Sequence, residues 1–265
     1  MNYNPIILAL DYNNMSEADT MLYKVRPHIG MMKVGLELYT SVGRESLSLS
    51  RQYNLPVFLD LKLCDTPTTV RKTMEGLMSS LATLPGNHFV SVHCFGGQGM
   101  LRAALEVTKG SNVKPVGITV LTSFDGNDLY DLGFSNRSVG IKAVGMTKMG
   151  MGCIDRGTNS YPASPATRWG PGTPAVVGRP PVGLDTFVCA PAQCALLRKH
   201  FKDTITLISP GIRLDDMEPH DHKNAKPASF ALRTGANWLV VGRPITQAPD
   251  PVMMAQHFEK IAEKY

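Results

Sequence analysis

No stretch of the 265 residues reaches the roughly 18 uninterrupted apolar positions of a membrane-spanning helix, so no membrane is expected as a partner. The N-terminal MNYNPIILALDYNN carries a short apolar run without a basic flank or a small-residue cleavage site. No export is therefore expected, and the predicted location is the cytoplasm. Cysteine is sparse: Cys64, Cys94, Cys153, Cys189 and Cys194 are five, odd in number, scattered, and never spaced C-x-x-C. That excludes the common zinc and dithiol motifs and predicts reduced, mostly buried thiols. The formal charge of +5 comes from lysines and arginines spread along the chain, never gathered beside aromatics, and aromatics make up only 7% of the residues. A nucleic-acid surface is thereby disfavoured, whereas a mild positive bias suits an anionic small molecule.

What is present is alternation. Eight short apolar runs recur: PIILALDY (5–12), MMKVGLELY (31–39), PVFLDLKLC (56–64), HFVSVHCF (88–95), KPVGITVLTS (114–123), LDTFVCAP (184–191), ITLISPGI (205–212) and WLVVGRPIT (238–246). Rich in Val, Ile and Leu without clean polar alternation, they read as strands covered on both faces. Helix-like stretches lie between them. SEADTMLYKV opens on Ser16 with Asp19 three residues on, the pattern of a capping box. GQGMLRAALEVTKG ends at Gly110, as a helix C-cap would. TPTTVRKTMEGLMSSLA, PAQCALLRKHF, KPASFALRTG and DPVMMAQHFEKIAEKY supply further helices, several with Pro near the start. Eight strand–helix units predict an α/β fold, a closed (β/α)8 TIM barrel spanning 1–265 as one domain, rather than a doubly wound open sheet. Residues 149–183, dense in Gly, Pro, Ser and Thr, read as an irregular insertion between the helix after strand five and strand six, on the N-terminal face.

FLDLKLCDTPTTV, residues 58–70, sets Asp60, Lys62 and Asp65 within six positions of a run that otherwise looks buried. Strand alternation puts Phe58, Asp60 and Lys62 on one side, and Leu59, Leu61 and Leu63 on the other, beneath the helices. The charges then point into the barrel near its C-terminal rim, where catalytic groups of this architecture gather. Asp11 and Lys33 repeat the device in neighbouring runs. Desolvation offsets the attraction of a buried ion pair, so several such charges are better explained by chemistry than by stability.

The segment D-L-K-L-C-D-T-P-T-T-V resembles the D-x-K-x-x-D-x-P-x-T signature of the orotidine 5'-monophosphate decarboxylase family. LALDY, KVGLELY, VHCFGG, VLTS, GLDTFVCAP, SPGIR and GANWLVVGRPIT are similar to further landmarks of that family, in order, over most of the chain outside 149–183. The resemblance implies a (β/α)8 barrel that converts orotidylate to UMP and CO2 in pyrimidine synthesis, with no metal or organic cofactor. It implies Lys62 as the proton donor, in a network with Lys33, Asp60 and Asp65. It also implies a homodimer with shared sites, since Asp65 and Thr69 of the family reach into the partner's cleft. By the same matching, Asp11 and Lys33 meet the ribose and Ser123 with Thr122 the pyrimidine edge. Pro210, Gly211, Arg213, Gly242 and Arg243 lie at the phosphate. His222 stands where relatives usually carry a glutamine bridging phosphate and base, and His93 reads as a satisfied structural histidine.

Two other readings share these residues. One is a magnesium-dependent relative, 3-keto-L-gulonate 6-phosphate decarboxylase or hexulose-phosphate synthase, which uses a similar strand. The P-x-T-V continuation after Asp65 favours orotidylate. The other is a non-catalytic nucleotide-binding barrel, against which the full set of network charges argues.

Overall fold

A computed structural model describes residues 4–152, 183–214 and 226–265. Eight parallel strands close into a barrel: β1 (Ile6–Ala9), β2 (Met31–Gly35), β3 (Val57–Leu63), β4 (His88–His93), β5 (Val113–Ile118), β6 (Thr186–Val188), β7 (Thr206–Ser209) and, closing against β1, Trp238–Val241. A short parallel pair, β8 (Ile212–Arg213) and β9 (Lys226–Pro227), lies between the seventh and eighth barrel strands in sequence, so that the closing strand is β10. All eight apolar runs therefore contain the barrel strands expected of them.

Both faces of each strand are buried, and the period of two is visible in which cluster each residue joins. Ile7, Ala9, Phe58, Phe89, Ile118, Val188 and Val240 pack inside the barrel. Ile6, Leu8, Leu59, Val90, Leu207 and Leu239 join the larger core under the helices, as a barrel filled by its own side chains requires. Within it Phe89 meets Phe58 and Trp238 edge to face, at 6.1 and 6.0 Å between centroids. Each fully buried side chain of this size contributes roughly 1.5–3 kcal/mol.

The helices are α1 (Met15–Val25), α2 (Leu36–Val42), α3 (Ser48–Tyr53), α4 (Pro67–Leu81), α5 (Gly97–Thr108), α6 (Gly126–Asp131), α7 (Val139–Gly150), α8 (Pro191–Phe201), α9 (Ala228–Arg233), α10 (Arg243–Thr246) and α11 (Pro251–Ala262). In α4 the Thr66 side chain accepts from the Thr69 N–H and Pro67 takes the first position, where no N–H is needed. Its stripe Val70, Met74, Leu77 and Leu81 is buried. Gly110 has φ +76°, the left-handed conformation a residue after a helix end adopts most easily when it is glycine.

Several expectations need correction. The first helix is capped by Asn14, whose side chain accepts from the Glu17 N–H, so Ser16 and Asp19 form no capping box. Asp19 instead accepts from the Tyr53 hydroxyl at 2.5 Å. The run 31–39 is strand only to Gly35, and Leu36 begins a helix. Met149 and Gly150 belong to α7 rather than to an irregular segment. Of that expected insertion, residues 153–182, Cys153 among them, lie outside the described residues. Its two flanks meet, because the Leu184 N–H donates to the Gly150 carbonyl at 3.1 Å, just before β6 at the N-terminal face. Gly150 approaches Phe187 so closely that a Cβ would lie 2.6 Å from the ring. Cys94, Cys189 and Cys194 are free and buried, as expected, whereas Cys64 is exposed.

Candidate active site

A cleft of about 650 Å³ opens at the carboxyl ends of the strands. Its floor is apolar, formed by Phe58, Ile118, Val188 and Val240 of the inner core. Four charges of alternating sign stand on one wall. Lys33 Nζ donates to Asp11 Oδ1 at 3.0 Å, and Lys62 Nζ donates to Asp60 Oδ2 at 2.8 Å. Lys33 also acts on Asp60 through space. Burial alone would raise the Asp60 carboxyl, but the ammonium groups of Lys33 and Lys62, with a smaller share from Ser91, outweigh it and hold the acid below the usual carboxylate range. Asp60 is only 8% exposed. Its Oδ1 is buried without a hydrogen-bond partner among the described residues.

Local sequence explains how these groups converge. Asp11 follows β1 and Lys33 lies within β2, whose register sets Ala9 beside Lys33. Gly35 leaves the room the pair needs, since a Cβ there would sit 2.7 Å from Lys33 Nζ and 3.2 Å from Asp11 Oδ1. Asp60 lies in the ordinary part of β3, opposite Gly35. Lys62 does not. The β3–β4 register shifts between Leu59 and Leu63, and Lys62 has φ +50°, a left-handed conformation that costs a non-glycine residue about 1–2 kcal/mol. The lysine still returns to the Asp60 side, while Leu61 and Leu63 pack against the outer core. The expected partition of the strand therefore holds, although a bulge and not simple alternation delivers its last charge.

The rest of the rim carries the remaining expected groups, and Gly242, after β10, lies beside Asp11. Pro210, Gly211, Arg213, Gly242 and Arg243 line the cleft, with Thr122 and Ser123 at the end of the loop after β5. Gly211 has φ +75°, which lets the chain turn sharply after β7. Arg213 is 6% exposed, and its Nη1 donates to the Ile212 carbonyl at 2.8 Å. Glu37, in the first turn of α2, and Gln247, just past α10, also line the cleft and were not foreseen. Ser91 was missed as well: it is fully buried and its Oγ accepts the Lys62 N–H at 2.7 Å. No sequence signal marks Ser91 or Gln247, whereas Glu37 was hidden by reading 36–39 as strand.

Asp65 and Thr69 stand apart. Both are exposed, at the start of α4, outside the lining of this chain's own cleft. Asp65 Oδ1 accepts from the Thr66 N–H at 2.6 Å, and the Thr66 and Thr69 hydroxyls are 3.0 Å apart. Within one chain the fourth charge of the network is therefore Asp11. His222 lies outside the described residues. His93 has its Nδ1 3.4 Å from the Phe95 N–H, from which it accepts. Burial, and then the positive charge of Lys62, push its pKa down, as suits a neutral structural histidine. Among the described residues no three His, Cys, Asp or Glu side chains converge as metal ligands would, and no helix is long and apolar enough to cross a membrane.

Comparison with known proteins gives a consistent picture. The family model described as "Orotidine 5'-phosphate decarboxylase / HUMPS family" matches residues 4–154 and 172–258. Residues 155–171, which the match leaves out, fall inside the expected insertion. An orotidine 5'-phosphate decarboxylase of Wigglesworthia glossinidia brevipalpis is 32% identical over 266 residues, covering 100% of this chain and 98% of its own. One of Wolbachia pipientis subsp. Culex pipiens (strain wPip) is 30% identical over 253 residues, 96% of each chain. Among solved structures, orotidine 5'-phosphate decarboxylase from Lactobacillus acidophilus superposes with a TM-score of 0.73 at 26% identity, covering 98% of this chain and 99% of that one.

Proposed function

Because the chain belongs to the orotidine 5'-phosphate decarboxylase / HUMPS family and is a carboxy-lyase, we propose that it converts orotidine 5'-monophosphate to UMP and CO2, without metal or organic cofactor, in pyrimidine biosynthesis. The observation that carries this reading is the alternation Asp11, Lys33, Asp60, Lys62 on one wall of the cleft, with Lys62 Nζ 2.8 Å from Asp60. Breaking the C6–carboxylate bond leaves an electron pair on C6 with no cofactor to delocalise it. A fixed ammonium group beside that carbon stabilises the developing charge and then supplies the proton. CO2 departs, the pair on C6 takes a proton from Lys62 Nζ, and the lysine regains one from solvent. Asp60 orients Lys62, and Lys33 with Lys62 keeps Asp60 ionised.

Arg243, with the backbone N–H groups of Gly211 and Gly242, holds the phosphate at the loops after β7 and β10, assisted by Arg213. Asp11 and Lys33 meet the ribose, and Thr122 and Ser123 the pyrimidine edge. A phosphate contact from His222, which lies outside the described residues, belongs to this proposal on the family resemblance alone; unchanged kinetics in His222→Ala would remove it. The exposed positions of Asp65 and Thr69 suit a homodimer in which each chain completes its partner's cleft.

The test is an ultraviolet assay of orotidylate in the presence of EDTA. The wild-type protein is expected to consume it, and Lys62→Ala to show almost no turnover. A strict magnesium requirement would move the reading to the sugar-phosphate branch of the family, and ligand binding without turnover to a nucleotide-binding barrel.

A further inference from the structure

The backbone of Lys62 raises a question that its ammonium group does not answer. A residue with φ +50° one position before the end of a strand has left the regular ladder, and its N–H goes to a side chain of the neighbouring strand. The register shows the size of the departure. Leu59 pairs with Val90 and Leu63 with Val92, so four steps along β3 match two along β4. Ser91 is the residue of β4 caught in that interval, and its own backbone remains in register with Val116 of β5. Its side chain, wholly buried, turns toward β3 and places Oγ 2.7 Å from the Lys62 nitrogen. A hydroxyl has thus replaced the carbonyl that a regular pairing would offer, so the part-buried N–H is not left unsatisfied.

We propose that Ser91 is a positioning residue for Lys62: by accepting its N–H, the Ser91 hydroxyl holds the left-handed bulge that returns the ammonium group to Asp60 and into the cleft. This inference rests on the proposed function for its catalytic consequence, though not for its structural one. Without the acceptor, the part-buried N–H loses its partner while β3 stays bulged, and the strand gains by relaxing toward φ < 0. That relaxation rotates the Lys62 side chain away from the direction it now takes. Asp60 keeps its pairing with Gly35 of β2, although its carboxylate loses the smaller share of stabilisation that Ser91 gives it. The Lys62–Asp60 contact therefore loosens while the phosphate wall, built on β7, β8 and the start of α10, does not change.

The experiment compares wild type, Ser91→Ala and Ser91→Thr by steady-state kinetics and by hydrogen exchange of the Lys62 amide, followed by NMR. In Ser91→Ala the Lys62 amide should lose protection and kcat should fall about a hundred-fold, the usual scale for misplacing a reacting group by about 1 Å. KM should stay within about threefold, because the phosphate grip at the loops after β7 and β10 is intact. Ser91→Thr, which keeps a hydroxyl at the same carbon, should restore both amide protection and most of kcat. Should Ser91→Ala fail to fold, Ser91→Cys, nearly the same size but a weak acceptor, is read in its place with the same expectations. Unaltered amide protection in the variant overturns the proposal, and so does lost protection with kcat unchanged. A fall in kcat that Ser91→Thr does not rescue also overturns it. If the wild-type protein fails to turn over orotidylate, the functional reading falls, and amide exchange decides on Ser91 alone: protection lost in Ser91→Ala and regained in Ser91→Thr supports the hold on Lys62, any other pattern overturns it.

Discussion

The two ends of the barrel treat buried polarity in opposite ways. At the N-terminal floor, Arg198 of α8 directs its guanidinium at the loops that enter β7 and β10. Nε and Nη2 donate to the Gly235 carbonyl at 2.9 and 2.8 Å, Nη1 to the carbonyls of Lys202 and Ile205 at 2.7 and 2.8 Å, and Nη2 to Asn237 Oδ1 at 2.6 Å. His88 ties the starts of β3 and β4 in the same manner: Nδ1 accepts from the Val57 N–H at 3.1 Å, and Nε2 donates to the Leu84 carbonyl at 3.4 Å. At the mouth, by contrast, Asp60 keeps a buried oxygen unpaired and Lys62 keeps a strained backbone. A satisfied network stabilises a fold, whereas unsatisfied charge in a cleft leaves interactions open to a ligand. The difference separates the part of the molecule that holds the barrel from the part that works.

That separation can be broken by experiment. Lys62→Ala should lower kcat by about ten-thousand-fold or more, roughly 5 kcal/mol of transition-state stabilisation, with far-ultraviolet circular dichroism unchanged. A large loss of secondary structure in that variant would make Lys62 a fold residue and erase the contrast. Arg198→Met should act in the opposite sense, costing about 2–3 kcal/mol in urea unfolding because the carbonyls of Lys202, Ile205 and Gly235 lose their shared donor together, with kcat near wild type at 25 °C. Gly35→Ala sharpens the comparison at the mouth. Its Cβ would fall 2.7 Å from Lys33 Nζ, so the Lys33–Asp11 pair must shift, and kcat/KM should drop about tenfold with little change in Tm.

The smallest effect concerns pH. Burial depresses the pKa of His88, with the Leu84 carbonyl opposing it, and burial together with Lys62 depresses that of His93. The unfolded chain therefore takes up protons first as pH falls below about 6.5. The stability these groups contribute is present above that pH and is lost as pH falls through their folded values. His88→Asn keeps an acceptor for the Val57 N–H but cannot titrate, so its urea-unfolding curve should depend less on pH between about 6.5 and 5. The remaining dependence, if the two ends behave independently, should disappear on adding a substitution at His93. An unchanged dependence in His88→Asn would show that the floor is not buried as tightly as its geometry indicates.

Much of this was legible in the chain. Val, Ile and Leu runs marked each barrel strand, because strands buried on both faces leave an apolar signature with no long-range information needed. Helix starts were readable where Pro and a hydroxyl coincide, as at Thr66–Pro67, and misread where two capping residues lie close together, as at Asn14 and Ser16. The segment 36–53 was not legible as helix, since Leu36, Leu38 and Tyr39 extend the apolar run of β2 without a break. α7 was obscured for a related reason: Val139, Ile141, Val144, Met146 and Met149 spread around the helix, and Ile141 remains 57% exposed.

By itself the sequence determined where the barrel strands run and which of their faces are apolar, since these follow from local periodicity; that Asp60 and Lys62 share a side was expected from alternation, but the bulge in β3 delivers it. Only the tertiary structure decided that Asp11 pairs with Lys33, that Ser91 accepts the Lys62 N–H across two strands, and that Glu37 and Gln247 reach the same cleft as residues far away in the chain. The physical reason is that register between strands, and the bulge that breaks it, are settled by contacts between segments distant in sequence. No local pattern of residues encodes them.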